Sequence, residues 1–371
     1  GLGDELFAAP VGLVREILTY QAPSRIPNSP DYLLGLTDVR GQGVPTADLR
    51  IRLGMAPTEP TLNTRILVLD IPLEDRVLSL GLVALGFQKG ECASILSNTV
   101  VDWVLADLAV LSCGGVANGI YPTDAASQVQ YLCEDSSTRI LFAEDDEQLD
   151  KALEVREQLP LLQKIVVFDM KGLRDLDDPD VMSLDALRAL GRQWLAEHPD
   201  CVERSSAACQ PEDLAILVYT SGTTGKPKGA MHSHKGLVYT VRGYNTLIAQ
   251  DATDERMCFL PLCHVAERLG GEYFAMYTGS KLNFVENPET VPENVREIAP
   301  TVFTAVPRVW EKFYSGVMIA LKEASPLQQA AYAWSIGVGT AIADKVLAGQ
   351  PVDGLLKFKF QLARWMAQLG L

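Results

Sequence analysis

The chain has 371 residues, 47% hydrophobic and 21% charged, with a formal net charge of -15. That balance excludes a general nucleic-acid binder or an anionic membrane surface as main partner, because both require a basic face. It still allows a small anionic ligand, which one local cluster of donors can hold.

The length predicts two or three domains. The seven cysteines are odd in number and contain no CxxC pair. A disulfide framework or zinc site is therefore not expected, no metal site is predicted, and a reducing cytoplasm fits best. No basic-then-apolar signal peptide opens the sequence. The expected location is cytoplasmic, with peripheral contact to the inner membrane as the variant.

The first 80 or so residues show short β-like runs between turn signals: FAAPVGLVREIL, YLLGLTDVRGQGVPTADLR, TRILVLDI and DRVLSLGLVA. Proline-rich connections cover 23–30 and 55–60. Strands at this spacing predict a small barrel or sandwich. From Leu85 onward helix and strand patterns alternate. The most apolar stretch, 100–121, carries Asp102 and Asp107 and breaks at Gly114-Gly115. It reads as a buried helix over 100–111 and a strand over 115–121 rather than a membrane span, which needs about 20 uncharged residues. Further along, helices are expected at 125–135, 150–160 and 184–198, and strands in RILFAED, KIVVFD and LAILVYT. Beyond these come strand RMCFLPL, helix AERLGGEYFAMYTG, strand KLNFVE, helix ENVREIA, strand TVFTAVPR and a helical tail over 309–371. The fold class is mixed: a small β-barrel-like N-terminal region, then a larger α/β domain with a mostly parallel sheet.

The strand LAILVYT is uncharged and rich in Leu, Ile and Val, as a central parallel strand is. At its C-terminal end stand Thr220, Ser221, Gly222, Thr223, Thr224, Gly225, Lys226, Pro227, Lys228 and Gly229. Ligands of open α/β sheets bind at that edge. Hydroxyls donate to phosphate oxygens and the lysines add positive charge. The run is not a Walker A loop, because Pro227 follows Lys226 where Ser or Thr should stand. Two readings remain open from the residues alone: an anion cradle, or a flexible surface loop.

The stretch YTSGTTGKPKG resembles the phosphate-loop signature of the AMP-forming acyl-adenylate synthetases. LGFQKGECASILSNTVVDWVLADLAVLSCGGVANGIYPTD, FLPLCHVAER and PTVFTAVPRVWEKFY extend the resemblance over about residues 80–371, toward the long-chain fatty acid–CoA ligase branch. The resemblance implies two half-reactions. A fatty acid carboxylate attacks the α-phosphate of Mg-ATP, and a CoA thiol then displaces AMP. ATP, Mg and CoA are the implied cofactors, and fatty acid, ATP and CoA the implied small-molecule partners. Thr220, Ser221, Gly222, Thr223, Thr224, Gly225, Lys226 and Lys228 would touch phosphate. His264 would be catalytic, beside the acyl carboxylate and the α-phosphate. Plainer readings stand beside these: Lys228 solvated, His264 a satisfied core histidine, His232 and His234 opening a helix, and Glu267 with Arg268 as an ion pair. The family's Tyr-Gly-x-Thr/Ser-Glu and Thr-Gly-Asp segments, its hinge and its C-terminal subdomain find no counterpart after Tyr314. The expectation is a ligase-like region incomplete or inactive as this chain.

Residues 1 to about 83 resemble a CheW-type chemotaxis coupling domain, carried by Pro27, Gly35, Arg40-Gly41, Pro45 and Asp48-Leu49-Arg50. That family's fold is a pair of small β-barrels, and its role is scaffolding between receptor tips and a histidine kinase. Glu16 and Arg40 match positions that pair there, and are the protein-interaction candidates; Asp38 stands where Asn is commoner. The implied alternative function is a coupling scaffold, with a chemotaxis kinase or receptor as partner and an inert α/β region appended. The domains are expected at 1–80 and 81–371. The stretch LSLGLVA fits a strand of the first family, and LGLVALGFQKGE a helix of the second, so the join is expected within 77–85.

Overall fold

The computed structural model describes residues 14–25, 32–52, 60–61, 64–69, 74–198, 201–220 and 225–368. Several expectations, including Pro27, the 55–60 connection up to residue 59, and Ser221, Gly222, Thr223 and Thr224, lie outside them.

Among its described residues the N-terminal region shows two antiparallel ribbons. Strand β1 (Val14–Thr19) pairs with β4 (Arg65–Leu69), and β2 (Leu33–Val39) pairs with β3 (Gln42–Ala47), followed by a short helix α1 (Leu49–Arg52). The β2–β3 turn is Arg40-Gly41, both at positive φ, the conformation that two-residue hairpins demand. Asp38 supports it by accepting from the Gly41 amide at 2.7 Å.

The expected β-like run DRVLSLGLVA is instead a helix, α2 (Glu74–Ala84). Its alternating Val and Leu suit a strand locally. Packing decides otherwise, because Val77, Leu78, Leu80 and Leu82 are all buried and α2 lies against later helices.

The larger region is a seven-stranded sheet flanked by helices. Its strands are β5 (Cys92–Leu96), β6 (Val116–Ile120), β7 (Thr138–Ala143), β8 (Lys164–Val167), β9 (Val181–Ser183), β10 (Leu214–Thr220) and β11 (Lys228–Ser233). The order is β11-β10-β6-β5-β7-β8-β9. All neighbours are parallel except β10 and β11. The connecting helices are α3 (Val101–Ser112), α4 (Ala126–Asp135), α5 (Asp146–Val155), α6 (Leu184–Glu197) and α7 (Cys201–Ala207). Each face has its own core. Residues of α2, α3 and α6, with Leu78, Trp103 and Leu187 at the centre, cover one. Residues of α4 and α5, with Val129, Leu132 and Leu149, cover the other. The buried residues of α3 are Trp103, Ala106, Asp107, Ala109 and Val110; Trp103, Ala106, Asp107 and Val110 follow the i, i+3, i+4, i+7 rule for one helix face. A carboxylate thus sits on the core stripe.

Beyond the sheet come α8 (His234–Leu247), a small parallel pair β12 (Glu255–Cys258) and β13 (Lys281–Phe284), and the helical run between them: α9 (Val265–Glu267), a π-helical segment Arg268–Tyr273, and α10 (Phe274–Thr278). Then follow α11 (Val291–Ile298), α12 (Pro307–Glu323), α13 (Pro326–Leu347) and α14 (Gly354–Gln368), so the expected helical tail is present. The expected strand TVFTAVPR reduces to one bridge, Val302 to Arg256. Phe303 instead stacks on Phe259 and Phe313. Among the described residues no helix is long and apolar enough to cross a membrane.

Candidate phosphate and carboxylate site

Strand β10 runs beside β6, with Ile216 opposite Ala117 and Leu217 opposite Asn118. Ala215, Ile216 and Val218 are buried, so the strand is fixed from both faces before Thr220 reaches the sheet edge. The chain then returns antiparallel as β11, with Thr220 opposite Lys228 and Tyr219 opposite Gly229. The lysine-bearing run is therefore the connection of a hairpin. His232 lies in β11 and only His234 opens α8. The sequence KGAMHS has little strand character, and its pairing to a well-buried neighbour imposes it.

Of the expected phosphate residues, the structure places Thr220 at the end of β10, Gly225 at φ +106° in the connection, Lys226 beside it and Lys228 at the start of β11. Gly225, Lys226 and Lys228 are exposed. Lys226 Nζ lies 4.5 Å from the centroid of the Tyr131 ring. Tyr131 also donates from its hydroxyl to the Pro227 carbonyl at 2.8 Å. On the other leg, the Tyr219 hydroxyl donates to Asp135 Oδ2 at 2.7 Å. Sequence reading missed Tyr131 and Asp135; their signal was the i, i+4 spacing that puts both on one side of α4.

His264 comes to the same edge by a different route. A Cβ on Gly119 of β6 would stand 2.6 Å from Cys263 Cα, so only glycine lets that turn approach the sheet. His264 follows, exposed, as the N-cap of α9, and its Nδ1 accepts from the Ala266 amide at 3.1 Å. The proton of the neutral ring then belongs to Nε2, leaving that nitrogen a donor. Its exposure shows that His264 is not a core histidine.

Four residues later the chain is locked. Arg268 is fully buried and pairs with Asp107, not with Glu267 as expected. Adjacent helical residues point apart, while Asp107 lies across the packed interface. Arg268 Nε donates to the Tyr273 hydroxyl at 3.1 Å, and that hydroxyl donates to Asp107 Oδ2 at 2.6 Å. The guanidinium also lies 5.0 Å from the Trp103 ring. Glu267 is buried too, and its Oε2 accepts from the Leu260 amide at 3.2 Å. Burial pushes its carboxyl up to about 7. Burial, then repulsion from Asp107, pushes Glu272 well above its usual range. These carboxyl groups do not titrate as surface acids do.

In the N-terminal region Arg40 Nη2 reaches Glu16 Oε2 at 3.3 Å, linking the two ribbons. Among the described residues no group of three His, Cys, Asp or Glu side chains is placed to hold a metal ion.

Two family models match. One, described as AMP-binding enzyme, covers residues 73–351; the other, described as CheW-like domain, covers residues 1–84. A long-chain-fatty-acid–CoA ligase of Gallus gallus is 31% identical over 281 residues, 73% of this chain and 35% of that protein. One of Xenopus laevis is 30% identical over 275 residues, 71% of this chain and 36% of that protein. One of Mycobacterium bovis is 32% identical over 244 residues, 65% of this chain and 38% of that protein. The chain thus spans 35% to 38% of the length of these relatives. An anthranilate CoA ligase in complex with anthranoyl-AMP has a similar structure, with TM-score 0.54 and 24% identity over 62% of this chain and 42% of that one. A fatty acyl CoA synthetase of Mycobacterium tuberculosis gives TM-score 0.52 and 21% identity over 64% and 43%. Those two likenesses concern the fold. With its large, mostly parallel sheet and a family match over three quarters of its length, the chain belongs to the AMP-binding enzymes through residues 73–351, preceded by a CheW-like domain at 1–84.

Proposed function

We propose that residues 73–351 form the phosphate- and carboxylate-binding part of an ATP-dependent long-chain fatty acid–CoA ligase. The observation that carries this reading is the β10–β11 hairpin, whose lysines follow the C-terminal end of β10 in a mostly parallel sheet, while the Cys263-His264 turn packs on Gly119 of the neighbouring β6. Phosphate fits there. Among the described residues a Cβ at Gly225 would meet nothing within 4 Å, Lys226 and Lys228 supply charge, and the Thr220 hydroxyl donates. Ser221, Gly222, Thr223 and Thr224 complete the proposed loop. His264 Nε2 donates toward the acyl carboxylate and the α-phosphate. Magnesium travels on the nucleotide's phosphates, and CoA enters in the second half-reaction. The task of the loop is positioning and charge stabilisation.

These 371 residues hold no segment resembling the family's adenosine-contacting motifs. We therefore read them as binding ATP or pyrophosphate without completing adenylation alone. Thermal unfolding with and without Mg-ATP tests the binding. A ligand at 100-fold its dissociation constant adds about 2.7 kcal/mol, and the gain should vanish in Lys226→Ala/Lys228→Ala. Absence of stabilisation by ATP or pyrophosphate in the unmodified chain overturns the reading. Fatty-acid-dependent ATP–pyrophosphate exchange by the purified chain overturns the claim of incompleteness.

The Glu16–Arg40 link supports a second reading, for the N-terminal region. It would be a barrel-like coupling module that docks on a chemotaxis kinase or receptor. The division between the two units is read at 80/81, with the join within 77–85; the packing of α2 on α3 and α6 ties residues 74–84 to the larger unit.

A further inference from the structure

The mouth of the lysine-bearing connection is held from one side by a single helix. Tyr131 and Asp135 of α4 lie one turn apart and take hold of opposite legs of the hairpin. Asp135 accepts from the Tyr219 hydroxyl on the outgoing strand, at 2.7 Å. Tyr131 donates to the Pro227 carbonyl at the start of the return, at 2.8 Å. The same Tyr131 ring lies under the Lys226 ammonium, 4.5 Å from its centroid. The rear of α4 is anchored in the core through Val129, Leu132 and Cys133, all buried, so the two side chains grip from a rigid base.

We propose that Tyr131 and Asp135 are positioning residues for the phosphate loop: they fix the distance between its two legs, and the Tyr131 ring holds Lys226 beside the mouth, ready to transfer to an incoming phosphate. This rests on the phosphate reading of the hairpin. The physics is that of a preorganised site. A lysine carries several rotatable bonds, so an ammonium already confined near its target loses less freedom on binding. An aromatic face attracts the cation weakly enough to release it to a phosphate, whose pairing with lysine is charge-assisted. The carbonyl bond to Pro227 acts separately, because it sets the backbone and not the charge.

The two contributions separate by substitution. Tyr131→Phe keeps the ring under Lys226 and loses the bond to Pro227; Tyr131→Leu loses both. Pyrophosphate binding to the full chain is measured by titration calorimetry, with the melting temperature of each variant recorded without ligand. The expected result is about threefold weaker binding in Tyr131→Phe and more than tenfold in Tyr131→Leu. Lys226→Ala supplies the control: adding Tyr131→Leu to Lys226→Ala should weaken binding by no more than Tyr131→Phe does, because the ring then has no ammonium to hold. Unchanged binding in Tyr131→Leu, or a full tenfold loss on top of Lys226→Ala, overturns the proposal. If Tyr131→Leu does not fold, Tyr131→Phe and Asp135→Asn decide it, and wild-type binding in both overturns it. Failure of the unmodified chain to bind pyrophosphate is a different result: it overturns the phosphate reading, and this proposal with it.

Discussion

The two limbs that converge on the sheet edge are held by opposite means. The β10–β11 hairpin is gripped at the surface, by two tyrosine hydroxyls and one ammonium–ring contact. The His264 limb is locked below the surface, by a guanidinium, a carboxylate and a phenol with no exposure at Arg268 and Asp107. A buried charge makes the second attachment costly to break, because each partner would be left unsolvated without the other. The surface grip is cheap to release, because its groups stay within reach of water.

The largest expected effect comes from cutting the buried tie. Asp107→Ala leaves Arg268 without its counterion and should cost about 3–5 kcal/mol in urea unfolding; a loss under about 1 kcal/mol would mean the two limbs are held alike. The next test is pH. Glu267 is raised from 4.5 to about 7, so the folded state keeps a proton that the unfolded chain has released. Its contribution is fully present below pH 4.5 and is lost as pH rises to 7, by at most about 3 kcal/mol. Glu272 shifts in the same direction and extends the decline upward. Glu267→Gln should flatten stability between pH 4.5 and 7, and an unchanged slope would remove Glu267 from the account. The smallest effect belongs to the surface pair of the ribbons. With the Arg40 side chain 74% exposed, Arg40→Ala should change stability by about 0–1 kcal/mol, and a larger loss would show that surface ties here resemble the buried one.

Much of the α/β region was legible because its periodicity is strong. LAILVYT coincides with β10, and the helices over 100–111, 125–135 and 184–198 lie within two residues of α3, α4 and α6. The hairpin connection that carries Gly225, Lys226 and Lys228 follows directly on a strand that the sequence marks plainly. What escaped was decided at a distance. The Arg268–Asp107 pair joins residues 161 apart in sequence, and no local pattern announces it. The grip of Tyr131 depends on where α4 docks, and β11 owes its extended form to β10. The segment 74–84 carries an alternation that favours a strand, and only its burial against other helices overrules it.

That last contact has a bearing on how the molecule is made. Helix α2 meets α6 so closely that a Cβ on Gly191 would collide with the Val77 carbonyl. Its partner surface therefore does not exist until more than a hundred further residues have been synthesised. As chains emerge N-terminal first, at about 5–20 residues per second, α2 and the ribbons before it spend several seconds with the α6-facing side of α2 uncovered. During that interval α3 is the part of this core that can already pack on α2, and the surface that α6 will cover stays open.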